Sequence, residues 1–309
     1  MIGKVRSETI RGILLESVRL YWQNLPAFVG AFVLPAMGRL LWMIYQRGIT
    51  HHRYPDWPQA GIVVNADWGL SIYSPTIYLT YAGMLVYFIL AGPALAAVTG
   101  MVRDVSGGMC PRLEGPFLVL RRSRAIALQL VCVVCAWGVF AAGLLGTIFV
   151  TAPRLGSSTD PGGTLLIWYA GLAFTFLVGG PVGIWLSLRY VLAVPTISIE
   201  RLSPVAALHR SVLLTRGIKA RLLAVLALVG GIRWVSGLTA AWFFGLIAHA
   251  HPAAATVVTF LLIPLALFVL DMLFGALGGV IVARQYIKRT APELPQDTGG
   301  MTSAGSLLE

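Results

Sequence analysis

The chain has 309 residues, of which 57% are hydrophobic and 11% charged, with a mean hydropathy of +0.81. Soluble domains carry about 25% charged residues, so this composition excludes a water-facing globular surface. The absence of strand-like alternation argues equally against a membrane β-barrel. A net charge of +11 would suggest nucleic acid in a soluble protein; here the placement of the basic residues supplies another reason, and no nucleic-acid partner is expected.

Residues 1–25 read as a cytoplasmic amphipathic helix. Ile10, Ile13, Leu14, Ser17, Val18 and Tyr21 fall on one helical face, while Arg11, Glu16, Arg19 and Gln23 point elsewhere. The segment lacks the short apolar core and cleavage site of a signal peptide, so insertion is expected through the chain's own helices. Residues 26–290 then hold six apolar blocks, at 26–46, 76–102, 125–151, 165–195, 221–248 and 253–283. Each is near or above the ~20 residues needed to cross a hydrocarbon core about 30 Å thick. The fourth is long enough to tilt or to project from the bilayer. Residues 291–309 are polar, with Pro, Gly and Ser, and read as a flexible tail.

The connections differ in charge. The N-terminus, the second and fourth connections and the C-terminus hold 18 of the 23 Lys and Arg residues. The opposite connections hold only Arg47, Arg53 and Arg154. This positive-inside bias puts both termini in the cytoplasm and accounts for the net charge, with attraction to anionic lipid heads as a secondary effect. In the fourth connection Ser203 reads as an N-cap, Pro204 as the first helical residue and Gly217 as the position after the last turn. This helix and the N-terminal one suit the membrane interface; a soluble elbow packed on the bundle fits the same apolar stripe. Ser17-Val18-Arg19-Leu20, Leu118-Val119-Leu120 and Ser211-Val212-Leu213-Leu214 each precede a span. They suggest a three-fold repeat of one short helix plus two spans, a short match against which chance competes.

One stretch carries a recognisable pattern: Gly180-Pro181-Val182-Gly183, then Arg189-Tyr190-Val191-Leu192-Ala193-Val194-Pro195, Glu200, and Ala206-Ala207-Leu208-His209-Arg210-Ser211-Val212-Leu213-Leu214-Thr215-Arg216-Gly217. It resembles the membrane domain attached to some glycerophosphoryl diester phosphodiesterases and that domain's stand-alone bacterial relatives. Outside this stretch the likeness is one of topology. Pro181-Val182-Gly183 stands where many relatives have adjacent Pro and Gly. The resemblance implies the same six-helix topology, a helical cytoplasmic segment after the fourth span, and a bacterial inner (plasma) membrane location. The phosphodiesterase catalytic domain has no counterpart in this sequence, so the resemblance implies fold rather than activity.

Three charges fall inside spans: Arg39, Arg233 and Asp271. Each costs about 2.5–3.5 kcal/mol at a helix centre, so such residues face the bundle interior and pair. Consecutive helices are usually neighbours, which predicts an Arg233–Asp271 pair. Arg39 then joins the pair, binds an anionic group or snorkels outward. A static interhelical clamp is the plainer reading, because no second carboxylate lies in a span to relay a proton; a substrate or ion role is the other. Pro35, Pro93, Pro181 and Pro264 interrupt four spans, Pro181 beside Gly179, Gly180 and Gly183. They are expected either as breaks whose freed carbonyls line a site or as simple kinks. Small residues four apart (Gly138, Ala142 and Gly146; Gly179 and Gly183; Gly275 and Gly279) permit close helix contact, within the bundle or between protomers.

Other chemistry is sparse. The three cysteines form no disulfide framework, and Cys132 and Cys135 read as small hydrophobes rather than half a zinc site. His51, His52, His249 and His251 fall on the outer side, the first pair near Asp56 and Asp67; exposed loop histidines are the plainer reading, and no metal is expected. Tyr54, Trp57, Trp68 and Tyr73 suit an interfacial aromatic belt. Phosphate-loop, nucleophile-elbow and zinc-protease motifs are absent, and no cofactor is expected. The sequence therefore points to an all-α polytopic integral membrane protein without catalytic machinery. A transporter or transport accessory for a small amphiphilic or lipid-like molecule is the leading reading. A non-catalytic scaffold or accessory subunit of a larger membrane complex is the alternative. The partners expected are membrane lipids, with homo-oligomer or complex subunits on the second reading.

Overall fold

A computed structural model describes residues 9–53, 75–111, 127–128, 130–132, 134, 138, 169–171 and 173–290. Five helical segments in it are long and apolar enough to cross a membrane: Leu25–Tyr45, Ile89–Ser106, Leu177–Ile199, Lys219–Ala250 and Ala255–Thr290. They correspond to the first, second, fourth, fifth and sixth expected spans. Most of the third (125–151), the tail (291–309), Leu118–Leu120, Asp56, Asp67, Arg154, Cys135, Ala142, Gly146 and the aromatics of the first outer loop lie outside the described residues.

The helices are α1 (Ile10–Gln23), α2 (Leu25–Arg53), α3 (Pro75–Ser106), α4 (Gly180–Tyr190), α5 (Ala193–Ile199), α6 (Pro204–Leu214), α7 (Lys219–Ala250) and α8 (Ile263–Thr290). Local chemistry explains several ends. Thr9 Oγ1 accepts from the Gly12 amide at 3.2 Å and starts α1. Ser203 Oγ accepts from the Ala206 amide at 3.4 Å, with Pro204 next, and starts α6. Gly217 has φ +78°, a left-handed geometry that a side chain would strain, and it ends that segment before α7.

The core lies where α2, α3 and α8 meet. Phe28 and Phe32 pack with Ala94, Ala97 and Val98 and with Ala276, Val280 and Ala283. Small residues make this closeness feasible. A Cβ on Gly275 would lie 2.8 Å from Phe32 Cδ1 and 2.9 Å from Tyr87 Oη, and one on Gly279 would lie 3.1 Å from Phe32 Cε2. The Gly275–Gly279 face is thus consumed inside the bundle. Gly179 and Gly183 are also buried, whereas a Cβ on Gly138 would meet nothing within 4 Å.

α1 packs on α7 and α8. It buries Ile13, Ser17 and Tyr21 and leaves Ile10, Leu15 and Trp22 exposed. Arg284 Nη1 donates to the Ile13 carbonyl at 3.4 Å, and its Nη2 pairs with Glu16. Tyr21 Oη donates to the Leu273 carbonyl at 3.0 Å. Burial pushes the Tyr21 phenol up to about 12, so it stays a protonated donor. Ser17 and Ser211 are both fully buried on a short helix preceding a long one. They differ in bonding: Ser211 Oγ donates to the Arg189 carbonyl at 2.9 Å, while Ser17 Oγ makes no hydrogen bond among the described residues.

The prolines, expected either as breaks or as simple kinks, divide into two kinds. Pro35 and Pro93 are buried inside α2 and α3, and both helices continue through them. Pro181 and Pro264 each follow a five-residue π-helical turn, Thr175–Gly179 and Val258–Leu262. The residue before each proline donates five positions back, Gly180 to the Thr175 carbonyl and Ile263 to the Val258 carbonyl. A proline ring clashes with the carbonyl four residues earlier; the wider turn moves that carbonyl aside without ending the helix.

Gly275→Ala is expected to lower stability by about 1–3 kcal/mol, because the added Cβ would press on Phe32 and Tyr87 in the packed core. Gly278→Ala, on the same helix with nothing within 4 Å of its Cβ, should change it little. Thermal unfolding of both variants in one detergent compares them.

Candidate functional site

Arg39 lies midway along α2, Arg233 midway along α7, and Asp271 in the N-terminal half of α8. The bundle brings the three together. Asp271 has no exposed side-chain surface. Its Oδ2 accepts from Arg39 Nη1 at 2.5 Å. Its Oδ1 accepts from Arg233 Nε at 2.7 Å and also from Arg233 Nη2. Of the outcomes open to Arg39, joining the pair is the one the geometry shows.

The electrostatics are unequal. A carboxylate taken out of water costs several kcal/mol unless paired and hydrogen-bonded, and Asp271 has a guanidinium on each oxygen. Among the described residues, two guanidiniums face one carboxylate, a formal charge of +1. The guanidiniums also keep more surface than the carboxylate: the side chains of Arg39 and Arg233 are 20% and 29% exposed. Arg39 lies 5.9 Å from the centroid of the Tyr87 ring, within cation–π range. Tyr87 and Gly275 therefore belong to the site. Sequence reasoning missed Tyr87, an aromatic in an apolar run that carries no mark of which helix it faces. Gly275 was visible only as a small residue.

The residues of the recognised pattern assemble elsewhere, around α4, α5 and α6. Glu200 Oε1 accepts from Tyr286 Oη at 2.8 Å, and Glu200 Oε2 pairs with Arg210 Nε at 3.5 Å. Arg189 offers its carbonyl to Ser211, and its guanidinium lies 5.2 Å from the Trp185 ring, with Lys219 Nζ at 5.4 Å from the same ring. Arg201, between Glu200 and the Ser203 cap, adopts φ +54°, the sharp step that lets α6 fold back on α5. The Glu200–Tyr286 bond ties the elbow to α8, and the contacts of Arg189, Arg210 and Ser211 lie within the elbow. Tyr286, their partner in α8, gave no sequence signal.

The outer histidines sit at helix ends. His249 lies in the last turn of α7 and His251 caps it. His51 and His52 end α2, their side chains outside the described residues. Among the described residues, no three His, Cys, Asp or Glu side chains group as a metal site would need.

Asp271→Ala would strand two guanidiniums and is expected to cost about 3–5 kcal/mol. Adding Arg233→Met should recover only part, because Arg39 remains; adding Arg39→Met as well should recover most. Denaturation midpoints across this series read the coupling, and full recovery with Arg39 intact would contradict the shared carboxylate. Tyr286→Phe should cost about 1 kcal/mol by leaving Glu200 one donor short, measured in the same way.

With no protein-family model, curated protein or solved structure matching the chain, the function has to be read from the site's own chemistry.

Proposed function

We propose that this protein is a transporter, or a transport accessory, for a small amphiphilic or lipid-like molecule in a bacterial inner membrane, with both termini cytoplasmic and six spans. The observation that carries this reading is the Arg39–Asp271–Arg233 cluster, ionic groups set halfway along apolar helices and left at net +1. Ionisable residues inside membrane helices are costly and typically mark substrate or ion paths. A clamp alone needs one cation on Asp271; the second, over Tyr87, exceeds that need. The π-helical turns before Pro181 and Pro264 add support, since such turns are frequent at functional sites. The orientation rests on the positive-inside bias of the connections. Kinship with the phosphodiesterase-associated membrane domain is proposed on the sequence pattern from Gly180 to Gly217 and bears on the fold, not on this role. The reading is non-enzymatic.

A second reading, an accessory subunit of a membrane complex, is favoured by α7. Gly230, Trp234, Leu238, Trp242 and Leu246 form one outward stripe with four-residue spacing. Membrane lipid or another helix would cover it.

The test is transbilayer movement of a fluorescent phosphatidylglycerol in vesicles holding the purified full chain, read by quenching from outside. Faster equilibration than in empty vesicles, slowed by Arg39→Gln, is expected. A rate equal to that of empty vesicles, with stoichiometric protein partners in gently solubilised native membrane, would favour the subunit reading.

A further inference from the structure

We infer that the Arg39–Asp271–Arg233 cluster is a binding site for one oxyanion, a phosphate ester or a carboxylate, held between the two guanidiniums as the missing counter-charge. The inference rests on the transport reading and narrows its substrate to the anionic class.

Charge is the first argument. Asp271 is the only acidic residue in the interior of a described span; Asp104 lies in the last turn of α3, and Glu200 follows α5. The described spans therefore offer no second carboxylate to neutralise the pair of arginines. An uncompensated charge there is unfavourable, and an anion from outside the chain removes the cost.

Donor geometry is the second. Each guanidinium has five N–H donors. Among the described residues Asp271 takes one from Arg39 and two from Arg233. Both carboxylate oxygens are occupied and sealed, whereas both arginine side chains keep exposed surface. Asp271 thus fixes the guanidiniums in place and leaves planar N–H edges for another acceptor. Planar donor edges suit the paired oxygens of phosphate and carboxylate. The Tyr87 ring under Arg39 limits where that guanidinium can go, so the edge is pre-positioned.

Surroundings are the third. Along α2 and α7 the residues flanking the two arginines are apolar, including the exposed Leu41, Ile232, Trp234 and Val235. A ligand with an anionic head and an apolar body matches both parts. A free inorganic anion matches only the head.

The experiment measures ligand-induced thermal stabilisation and binding of the full-length protein in neutral detergent. The probes are dioctanoyl phosphatidic acid, dioctanoyl phosphatidylcholine and inorganic phosphate. The expected result is binding of the phosphatidic acid about tenfold tighter than the phosphatidylcholine. Arg39→Gln, which leaves the Arg233–Asp271 pair whole, should abolish that preference, and Arg39→Lys should retain part of it. Equal binding of the two lipids, or a preference that survives Arg39→Gln, overturns the oxyanion site while leaving an amphiphile transporter standing. Stabilisation by inorganic phosphate alone, lost in Arg39→Gln, supports the oxyanion site and overturns the lipid-like substrate. Binding of none of the three overturns both.

Discussion

A single buried carboxylate organises the middle of this bundle. Asp271 receives Arg39 from α2 and Arg233 from α7, so three helices converge on one pair of oxygens. Inside a bilayer, apolar surface gives helices little reason to prefer each other over lipid. Polar contacts and close packing must supply the preference, and both concentrate on α8. Besides Asp271, α8 offers the Leu273 carbonyl to Tyr21, Arg284 to Glu16 and Tyr286 to Glu200. Between these polar points, Phe32 packs on Gly275 closer than a Cβ would allow and on Gly279 at a distance a Cβ would make tight. α8 is thus the helix to which α1, α2, α5 and α7 are fastened.

The same helix shows how the fold absorbs its prolines. Pro264 follows a widened turn that shifts the register just before the stretch carrying Asp271. Pro181 follows an identical device at the start of α4. Pro35 and Pro93 have no such turn, and α2 and α3 run on through them. A proline in a span is therefore an instruction whose outcome depends on its neighbours. The ring demands that one carbonyl move, and the surrounding helices determine whether it does so by a slight bend or a π turn.

Two polar assemblies serve different ends. Around Glu200, the carboxylate faces a phenol and one guanidinium, and the contacts fold a connection into an elbow. Around Asp271, cations outnumber the anion among apolar helices. The first arrangement is balanced and explains itself as shape. The second is not: among the described residues two guanidiniums share one carboxylate.

Much of this was written in local sequence. The all-helical class follows from apolar blocks long enough to cross a bilayer, because a chain in lipid must satisfy its backbone within each segment. The start of α6 follows from Ser203 and Pro204, and its end from Gly217, since caps are made by near neighbours in the chain. The contact of Arg233 with Asp271 follows from adjacent helices and the cost of leaving either charge alone. Other features belong to tertiary structure. Arg39 reaches Asp271 across 232 residues, and Tyr21 reaches Leu273 across 252. Whether α1 rests on α8, which phenol underlies Arg39, and which glycine meets Phe32 are properties of helix faces. Composition and periodicity determine that a helix forms; only the packing of one helix against another selects which of its residues meet, because those contacts depend on crossing angle and rotation that no local pattern encodes.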